Sequence, residues 1–424
     1  MTGRLLAPCD LTDPDLYARG IPQDVFGEIR AQPGLTWTPD TSSTRGFWSV
    51  TRMADLIAVS RDHATYSSEL GQIQIYDIDE DVRRKRASMI DLDPPIHTRL
   101  RRLVSAVFTP RHTQSYEAAI RERVVTQLDG LIAKGGGDWV HEVAAPIPIS
   151  VICDIMGVPA EDHGLMIEMS DYLVAGTGDH ELDPHAYGNV APLRELPFNS
   201  PAAFGIFDYA CKARAKRLRQ PTDDLLTTLA TVEIDGERLS ENDYGRFFQL
   251  MIFAGNETTR SSMAHLALHL MDFGDQFNRL RVEPTLLDNA VDEVIRYSSP
   301  ILYFRRTTTC DTVLSGTQIA AGEKVVMWYA AANFDDAVFR DPLQFDVGRP
   351  RLPSHAAFGG GGVHFCLGAA LARLEVGILI HEVLRRDLRL ELAGPVHYVR
   401  SNFVNGIESL PVRCTSKGTW PCGD

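Results

Sequence analysis

The chain has 424 residues, 44% of them hydrophobic, and its 56 acidic against 42 basic side chains give a formal net charge of −14. This length and apolar content suffice for a large core, and an acidic chain matches neither nucleic acid nor an anionic membrane surface. Seven cysteines without regular spacing favour a reducing compartment over a disulfide framework. Because the first 20 residues contain no long apolar run, we expect a cytoplasmic protein without signal peptide or membrane anchor.

Helical patterns dominate the chain, and strand patterns are short. The predicted helices cover residues 53–60, 116–157 with a break at the glycines from 135, 160–174, 202–219, 241–273 and 369–384. The predicted strands cover residues 47–51, 301–307, 313–319 and 324–330. Residues 176–200 are rich in Gly, Pro, Asp and Asn and predict a long loop. No repeat, linker or domain boundary interrupts the sequence, so residues 1–424 are expected to form one domain.

A short helix after two prolines carries the first pair of candidate functional residues. His97 and Arg101 are four residues apart and therefore share one face of that helix. Such a pair can bind two oxygens of one anion. The alternative is a histidine and an arginine on an exposed helix surface.

The long helix predicted over residues 241–273 contains glycine, asparagine and two threonines near its middle, where they are costly. The Thr258 hydroxyl can bond to the carbonyl of Ala254 and locally open the helix. Beside a metal, an opened helix makes room for a small ligand and water. Residues that share this face are Leu250, Met251, Ala254 and Thr258. The alternative is a polar patch that faces another helix.

Glu293 and Arg296 lie one turn apart near the end of a helical pattern that stops before Pro300. On a protein surface such a pair would contribute only about 0.2–0.5 kcal/mol. The pair by itself predicts no chemistry.

Cys366 follows a run of four glycines and precedes the helix predicted over residues 369–384. The amides and dipole of the first helical turn would favour a negative charge on this cysteine, and a thiolate is a strong metal ligand. The glycines would let the backbone approach a large flat group, and His364 adds a polar contact. The alternatives are a small buried cysteine or a phosphate-binding loop, which lacks its Gly-Lys-Ser/Thr.

The pattern Gly-x-His-x-Cys-x-Gly at residues 362–368 resembles the haem-binding loop of the cytochrome P-450 family, in which a cysteine thiolate holds the iron. The loop departs from the family pattern in one respect. The phenylalanine that usually stands seven residues before the cysteine is replaced by Gly359, and Phe358 lies one residue earlier. Some steroid and branched-lipid hydroxylases share this longer loop.

Three further motifs follow the family pattern and order along nearly the whole chain. Ala-Gly-x-Glu-Thr at residues 254–258 resembles the oxygen-activating segment, Glu-x-x-Arg at residues 293–296 resembles a structural motif, and the His97/Arg101 helix resembles the segment that binds a haem propionate. The chain is therefore identified as resembling the soluble bacterial cytochromes P-450. The resemblance implies a mainly α fold with a small β region and haem between two long helices.

The resemblance also assigns roles to individual residues. Cys366 would be the metal ligand of haem b, and His97, Arg101, Arg306 and His364 would contact the cofactor. Thr258 and Glu257 would be catalytic because they supply protons during oxygen activation. Glu293 and Arg296 would form a buried structural triad with Arg349.

The implied reaction uses O₂ and two electrons from NAD(P)H, delivered through a ferredoxin reductase and a ferredoxin, to hydroxylate a small apolar substrate. Terpenoids, steroids, lipids and scaffolds of secondary metabolism fit this description. The expected pocket residues are Leu250, Met251, Ala254, Leu302, Phe304 and Phe403, with Ile73, Ile75 and Tyr76 as a lid and residues 176–200 as a roof. None of the named pocket residues is charged, so the reacting part of the substrate should be neutral.

Two other functions are compatible with the same motifs. The haem could couple two aromatic or peptide-derived rings, or the protein could be a non-catalytic haem sensor or carrier. The pair Glu257 and Thr258 argues against a carrier, which needs no proton relay.

Overall fold

The computed structural model describes residues 4–41, 44–177, 181–234 and 236–416. Within these residues the fold is mainly α-helical, as predicted. The helices are α1 (Gln23–Arg30), α2 (Met53–Arg61), α3 (Glu80–Arg86), α4 (Ile96–Val104), α5 (Pro110–Thr113), α6 (Glu117–Lys134), α7 (Pro146–Met156), α8 (His163–Ala175), α9 (Ala202–Arg219), α10 (Leu225–Thr231), α11 (Glu241–Asp272), α12 (Gly274–Val282), α13 (Leu287–Ser298), α14 (Tyr329–Ala332) and α15 (Ala369–Arg385). In this part of the chain, no helix combines the length and the apolar character that crossing a membrane requires.

The strands form one five-stranded sheet and several smaller sheets. They are β1 (Thr36–Thr38), β2 (Phe47–Val50), β3 (Tyr66–Ser67), β4 (Gly136–Asp138), β5 (Glu233–Ile234), β6 (Glu237–Arg238), β7 (Tyr303–Thr308), β8 (Thr312–Leu314), β9 (Thr317–Ile319), β10 (Lys324–Trp328), β11 (Leu388–Leu392), β12 (His397–Tyr398), β13 (Ile407–Ser409) and β14 (Pro411–Ser416). The five-stranded sheet has the order β1-β2-β10-β7-β3, and β2 and β10 are its parallel neighbours. A three-stranded sheet has the order β11-β14-β4.

Helix α11 lies at the centre of the helical part of the molecule. Its 32 residues correspond to about 48 Å at 1.5 Å per residue, and it packs against α7, α8, α9, α13 and α15. The helix begins at a side-chain cap, in which the Ser240 hydroxyl accepts a hydrogen bond from the Asp243 N–H at 3.0 Å. Near its C-terminal half, the buried Trp139 indole donates to the Met263 carbonyl at 2.9 Å. Since most of its surface is buried, α11 forms one wall of any internal site.

One strand prediction was wrong in detail because turns are set by local backbone geometry. Residues 313–319 form the hairpin β8–β9 instead of one strand, since Ser315 and Gly316 both adopt positive φ (46° and 75°) and reverse the chain. The predicted break in the helical residues 116–157 is confirmed, because Gly135 caps α6 in the left-handed conformation (φ 73°). A π-helical turn at Val140–Ala144 then leads into α7.

The triad predicted from Glu293 and Arg296 is present and buried. Glu293 accepts hydrogen bonds from Arg296 at 2.7 and 2.8 Å and from Arg349 at 3.0 Å. Arg296 also donates to the carbonyls of Asn333 and Pro342, which belong to the segment that follows β10. The side chains of Glu293 and Arg296 are each only 1% exposed. The triad therefore ties α13 to the segment that leads towards Cys366.

We predict that Glu293→Gln lowers the free energy of unfolding by about 3–5 kcal/mol, because it leaves buried guanidiniums without their carboxylate. The measurement is thermal and urea-induced unfolding of the purified protein. The control is Glu283→Gln. Glu283 is half-exposed and forms a surface ion pair with Arg279 at 3.5 Å, and such surface pairs contribute about 0.5 kcal/mol. Equal unfolding midpoints for the two variants would contradict a structural role of the triad.

Candidate active site

A cavity lies between the middle of α11 and the start of α15. Cys366 and the loop before it form one wall, and α11 forms the opposite wall. The lining residues from α11 are Leu250, Met251, Ala254, Gly255, Thr258, Thr259 and Ser262. The lining residues from α15 are Leu371, Ala372 and Glu375. We call this space the thiol cavity.

The glycine run holds Cys366 in place by packing against α2. A Cβ atom at Gly360 would lie 2.7 Å from the Leu56 side chain, and one at Gly362 would lie 2.4 Å from the Ser60 carbonyl oxygen. These two glycines therefore serve the contact with α2, and the prediction that the whole run faces a flat group was wrong for them. Gly359 (φ 94°) does line the cavity and has open space beside it.

Phe358 occupies the cavity wall in spite of the longer loop. Its carbonyl accepts a hydrogen bond from the Cys366 N–H at 2.9 Å, and the guanidinium of Arg373 lies 4.4 Å from its ring centroid. Phe358 therefore still borders the cysteine although it lies one residue earlier than the family pattern.

Cys366 is an exposed residue that lines the thiol cavity, and the protein atoms around its sulfur desolvate the thiol. Burial raises its pKa, while the Gly368 N–H and the guanidiniums of Arg101 and Arg373 act in the opposite direction. The helix start thus favours the thiolate as the sequence suggested, but burial is the larger effect. A metal cation on the sulfur would supply the missing stabilisation, because a coordinated thiol is deprotonated.

Three of the predicted cofactor residues, His97, Arg101 and His364, line one edge of the thiol cavity, and the fourth, Arg306, does not line it. The rings of His97 and His364 have centroids 4.2 Å apart, and His364 Nε2 lies 3.2 Å from the Ser68 hydroxyl. Arg101 donates to the Phe365 carbonyl. Arg306, buried on β7, is close enough for its charge to lower the pKa of both histidines.

The electrostatics of this edge suit a ligand that carries anionic groups. Burial, with the charges of Arg101 and Arg306, lowers the pKa of His97 to about 4. Its Nδ1 atom is buried and has no hydrogen-bond partner among the residues that the structure describes. Because buried polar atoms are normally satisfied, this atom and the two guanidiniums fit the propionate edge of a haem whose iron faces Cys366.

The polar residues of α11 contact different neighbours. The Thr258 hydroxyl faces the cavity and donates to the Ala254 carbonyl at 3.0 Å, as predicted. The helix nevertheless continues unbroken through this stretch, so the predicted local opening is absent. Gly255 is required by the close approach of Ile152, which would lie 2.8 Å from a Cβ atom, and Asn256 donates to Ser170 on α8 at 2.8 Å.

Glu257 directly precedes Thr258 in the sequence. Its side chain is buried, but it does not line the thiol cavity. Burial raises its pKa to about 7, partly offset by the charge of Arg260 at 3.8 Å. Arg260 in turn pairs with Asp171, whose side chain is 41% exposed. A carboxyl group with a pKa near neutrality can both accept and release protons, and this chain of charges leads from the helix interior to the surface.

Glu375 is a cavity residue that the sequence analysis missed. Its side chain is buried, burial raises its pKa well above the usual range, and its Oε2 has no partner among the described residues. The signal was available, because Glu375 follows Leu371 and Ala372 at helical spacing on the face of α15 that lines the cavity.

A second space adjoins the thiol cavity, and we call it the outer cavity. Residues that line both spaces are Ile90, Leu250, Ala254, Thr258, Ile301 and Phe304. Among the other predicted pocket residues, Met251 lines the thiol cavity and Phe403 lines the outer cavity.

Leu302 lines neither space, and its prediction as a pocket residue was wrong. The strand begins only at Tyr303, so strand alternation does not extend back to Leu302. The backbone N–H of Leu302 instead donates to the Phe403 carbonyl at 2.9 Å, and its side chain is 1% exposed. Ile301 contributes to the cavity wall in its place.

The predicted lid and roof are only partly in contact with the outer cavity. Ile73 lines it, whereas Ile75 is fully buried elsewhere and the Tyr76 hydroxyl accepts a hydrogen bond from Asn402 at 2.8 Å. Of the predicted roof, residues 178–180 lie outside the part of the chain that the structure describes. Pro197 and Phe198 line the space, and the Phe198 ring stacks on Phe253 at 4.0 Å.

The expectation of an uncharged pocket fails for both spaces, since Arg101 and Glu375 line the thiol cavity. Charged residues that line the outer cavity are Arg83, Arg86, Asp91 and Arg246. Arg246 precedes Leu250 by four residues, so it belongs to the same helix face and could have been found from the sequence.

The fold and a cysteine at the floor of a buried cavity define a haem-thiolate protein, and comparisons with known proteins agree. The sequence model of the family described as Cytochrome P450 matches residues 205–393. The steroid C26-monooxygenase of Rhodococcus jostii (strain RHA1) is 35% identical over 414 residues, which cover 95% of this chain and 84% of that protein.

A second relative and a solved structure are also similar to nearly the whole chain. The methyl-branched lipid omega-hydroxylase of Mycobacterium tuberculosis (strain H37Rv) is 35% identical over 96% of this chain and 95% of its own length. The structure of Mycobacterium marinum cytochrome P450 CYP268A2 in complex with pseudoionone superposes with a TM-score of 0.86 at 36% identity, over 97% of this chain and 100% of that one. The chain belongs to the cytochrome P450 family. It is a P450 monooxygenase, and its cofactor is a haem.

We predict that Thr258→Ala leaves the cofactor bound but diverts electrons from product to hydrogen peroxide, because the hydroxyl that faces the cavity is lost. Product formed per NADH consumed should fall about 100-fold, the lower end of the range for loss of a proton-transfer group. NADH, product and hydrogen peroxide are measured together. Thr258→Ser, which keeps the hydroxyl, is the matched control. Unchanged coupling in Thr258→Ala would mean that the hydroxyl only satisfies the Ala254 carbonyl.

Proposed function

We propose that this chain binds haem b and hydroxylates an apolar end of a steroid or a methyl-branched lipid. In this proposal Cys366 is the axial ligand, and His97, Arg101 and Arg306 stabilise the propionates, with His364 at the same edge. The whole chain acts as one domain. The observation that carries the substrate class is the shared wall of the thiol cavity and the outer cavity, which have six lining residues in common, together with the activities named for the two relatives.

The walls nearest Cys366 favour a hydrocarbon at the reacting position. Leu250, Met251, Ala254, Ile301 and Phe304 form the surface between the thiol and the outer cavity. An uncompensated ion there would cost several kcal/mol after relaxation. The carbon that reacts should therefore belong to a neutral, apolar part of the substrate.

The residues on α11 have separate tasks in this proposal. Bound haem would supply O₂ activation and oxygen insertion, aided by the electron-donating thiolate. Thr258 holds a hydroxyl at the cavity wall, where it can donate a hydrogen bond or a proton. Glu257, with a pKa of about 7, exchanges protons near neutral pH and is connected through Arg260 and Asp171 to the surface.

Electrons from NAD(P)H would arrive through a ferredoxin reductase and a small acidic ferredoxin. On α4, His97 is buried towards the cavity while Arg99 and Arg102 are exposed on the outer side. Phe365, whose carbonyl accepts a hydrogen bond from Arg101 of α4, is 38% exposed and lies next to Cys366. A local basic face on a chain of net charge −14 would attract an acidic partner, and this attraction would weaken with salt.

The reaction type is tested by product mass. The haem-loaded protein, with ferredoxin, reductase and NADH, is incubated with a methyl-branched lipid and separately with a 3-keto steroid. We expect a gain of one oxygen atom in the product. Two substrates joined with loss of two hydrogens would indicate oxidative coupling instead. Spin-state changes without any product would favour a haem sensor or carrier.

The docking face is tested by charge reversal. Arg99→Glu with Arg102→Glu should slow first-electron transfer at least tenfold at low ionic strength, because the local positive potential is reversed. The substrate Kd should stay within about twofold. Transfer is measured by stopped-flow reduction.

The matched control reverses Lys216 and Arg219, which are exposed on α9. If both double variants accept electrons at the wild-type rate, the partner docks elsewhere.

A further inference from the structure

We infer that the substrate carries a carboxylate, which Arg246 and Arg86 bind in the outer cavity while the apolar end of the molecule reacts beside Cys366. This inference rests on the proposed function and narrows its substrate class to long-chain carboxylic acids. It starts from the charged residues of the outer cavity, which the predicted apolar pocket did not include.

Arg246 is a half-buried cation without a carboxylate partner. Its Nε atom is buried and has no hydrogen-bond partner in the described part of the chain, and its guanidinium lies 5.3 Å from the Phe207 ring centroid. Several other buried arginines of this protein are paired with a carboxylate, as in Arg217–Asp224 and Arg296–Glu293. Because a desolvated guanidinium normally acquires an anionic partner, the free donors of Arg246 point to a ligand.

Arg86 adds a second cation to the same wall. It is 9% exposed and donates to the backbone carbonyl of Arg194, which leaves further N–H groups available. Burial lowers its pKa to about 10, and the charge of Arg246 acts in the same direction. The two guanidiniums are therefore close enough to repel each other, and one anion between them would relieve that repulsion.

Asp91 offsets these two cations only in part: its charge raises the pKa of both Arg86 and Arg246, but it is one carboxylate against two guanidiniums. Its carboxylate already accepts hydrogen bonds from the Ser88 N–H at 2.9 Å and from the Ser88 hydroxyl at 3.1 Å. Burial raises its pKa, so it gives up negative charge more readily than an exposed aspartate. Arg83, the remaining charged residue of the wall, donates to the Glu69 carbonyl and lies 3.7 Å from Glu80. The wall keeps a surplus of positive charge.

The spacing along α11 sets the length of the ligand. Arg246, Leu250, Ala254 and Thr258 follow one another at four-residue steps and form one row on the helix. From Arg246 to Thr258 the helix rises by about 18 Å, at 1.5 Å per residue. Apolar walls separate the two ends, so a short acid cannot contact Arg246 and react beside Thr258. A long-chain acid, with its hydrocarbon end at Cys366, satisfies both ends at once.

A carboxylate is the anion that this geometry favours. A guanidinium presents its N–H groups in a planar fork that matches the two oxygens of a carboxylate. The branched-chain fatty acids and the steroid acids share this group and an apolar far end.

The test compares a long-chain methyl-branched fatty acid with its own methyl ester. Each is titrated into the haem-loaded protein, and Kd is read from the shift in the haem spectrum. In the wild type the Kd of the acid should be about tenfold or more below that of the ester. This ratio corresponds to the lower end of the free energy that a hydrogen bond to a charged group contributes. In Arg246→Met the ratio of the two Kd values should fall to within about threefold. Arg246→Lys should retain part of the preference.

Arg214→Met is the matched control. Arg214 is also half-buried against an aromatic ring, with Tyr244 at 6.0 Å, but it does not line the outer cavity. This variant should keep the preference of the wild type for the acid. The ester titration of each variant also reports whether it has folded and bound its cofactor.

A steroid carboxylic acid and its methyl ester form the second arm of the experiment. A preference for the acid in either arm, lost in Arg246→Met, supports the carboxylate site and identifies which skeleton fits.

Two results would overturn the inference. If the wild type binds acids and esters equally, or if Arg246→Met keeps the preference, there is no carboxylate site, although oxygenated esters would still support the proposed function. If acids, esters and a neutral 3-keto steroid give neither a spectral shift nor an oxygenated product, the proposed function fails together with the inference.

Discussion

The close contact between the glycine run and α2 is the constraint on which the active site depends. A side chain at residue 360 or 362 would collide with Leu56 or with the Ser60 carbonyl and push the loop towards α11. The loop position sets the distance of Cys366 from the opposite wall, and the Cys366 N–H is held by the Phe358 carbonyl. Backbone packing on the outer side of the loop thus keeps an internal space open on its inner side.

The ionisable groups around that space differ in their charge according to how deeply they are buried. Burial holds His97 neutral at physiological pH, raises the pKa of the Cys366 thiol and raises the pKa of Glu375 well above its usual range. The centre of the cavity is therefore short of ionic partners, while guanidiniums lie at one edge. A cofactor with a cationic centre and anionic substituents matches both features, because it would stabilise the thiolate and also occupy the cationic edge.

Helix α11 connects the chemistry to substrate recognition. Its N-terminal half carries Arg246 into the outer cavity, and Thr258 faces the thiol cavity on the same row. Glu257 lies beside that row, buried and linked to Arg260. Because a helix is rigid over these three turns, the distance from Arg246 to Thr258 is fixed. The length of the ligand therefore decides which carbon reacts when its polar group is bound at Arg246.

The sequence by itself determined the family, the mainly α fold, the long central helix and the cysteine loop, because helical periodicity and closely spaced motifs are local properties. It also placed Thr258 correctly against the Ala254 carbonyl. Only the tertiary structure decided that Leu302 turns away from both cavities and that Arg86 and Asp91 join Arg246 in the wall of the outer cavity. Those outcomes depend on where a strand begins and on which distant segments meet, and neither is recorded in local spacing.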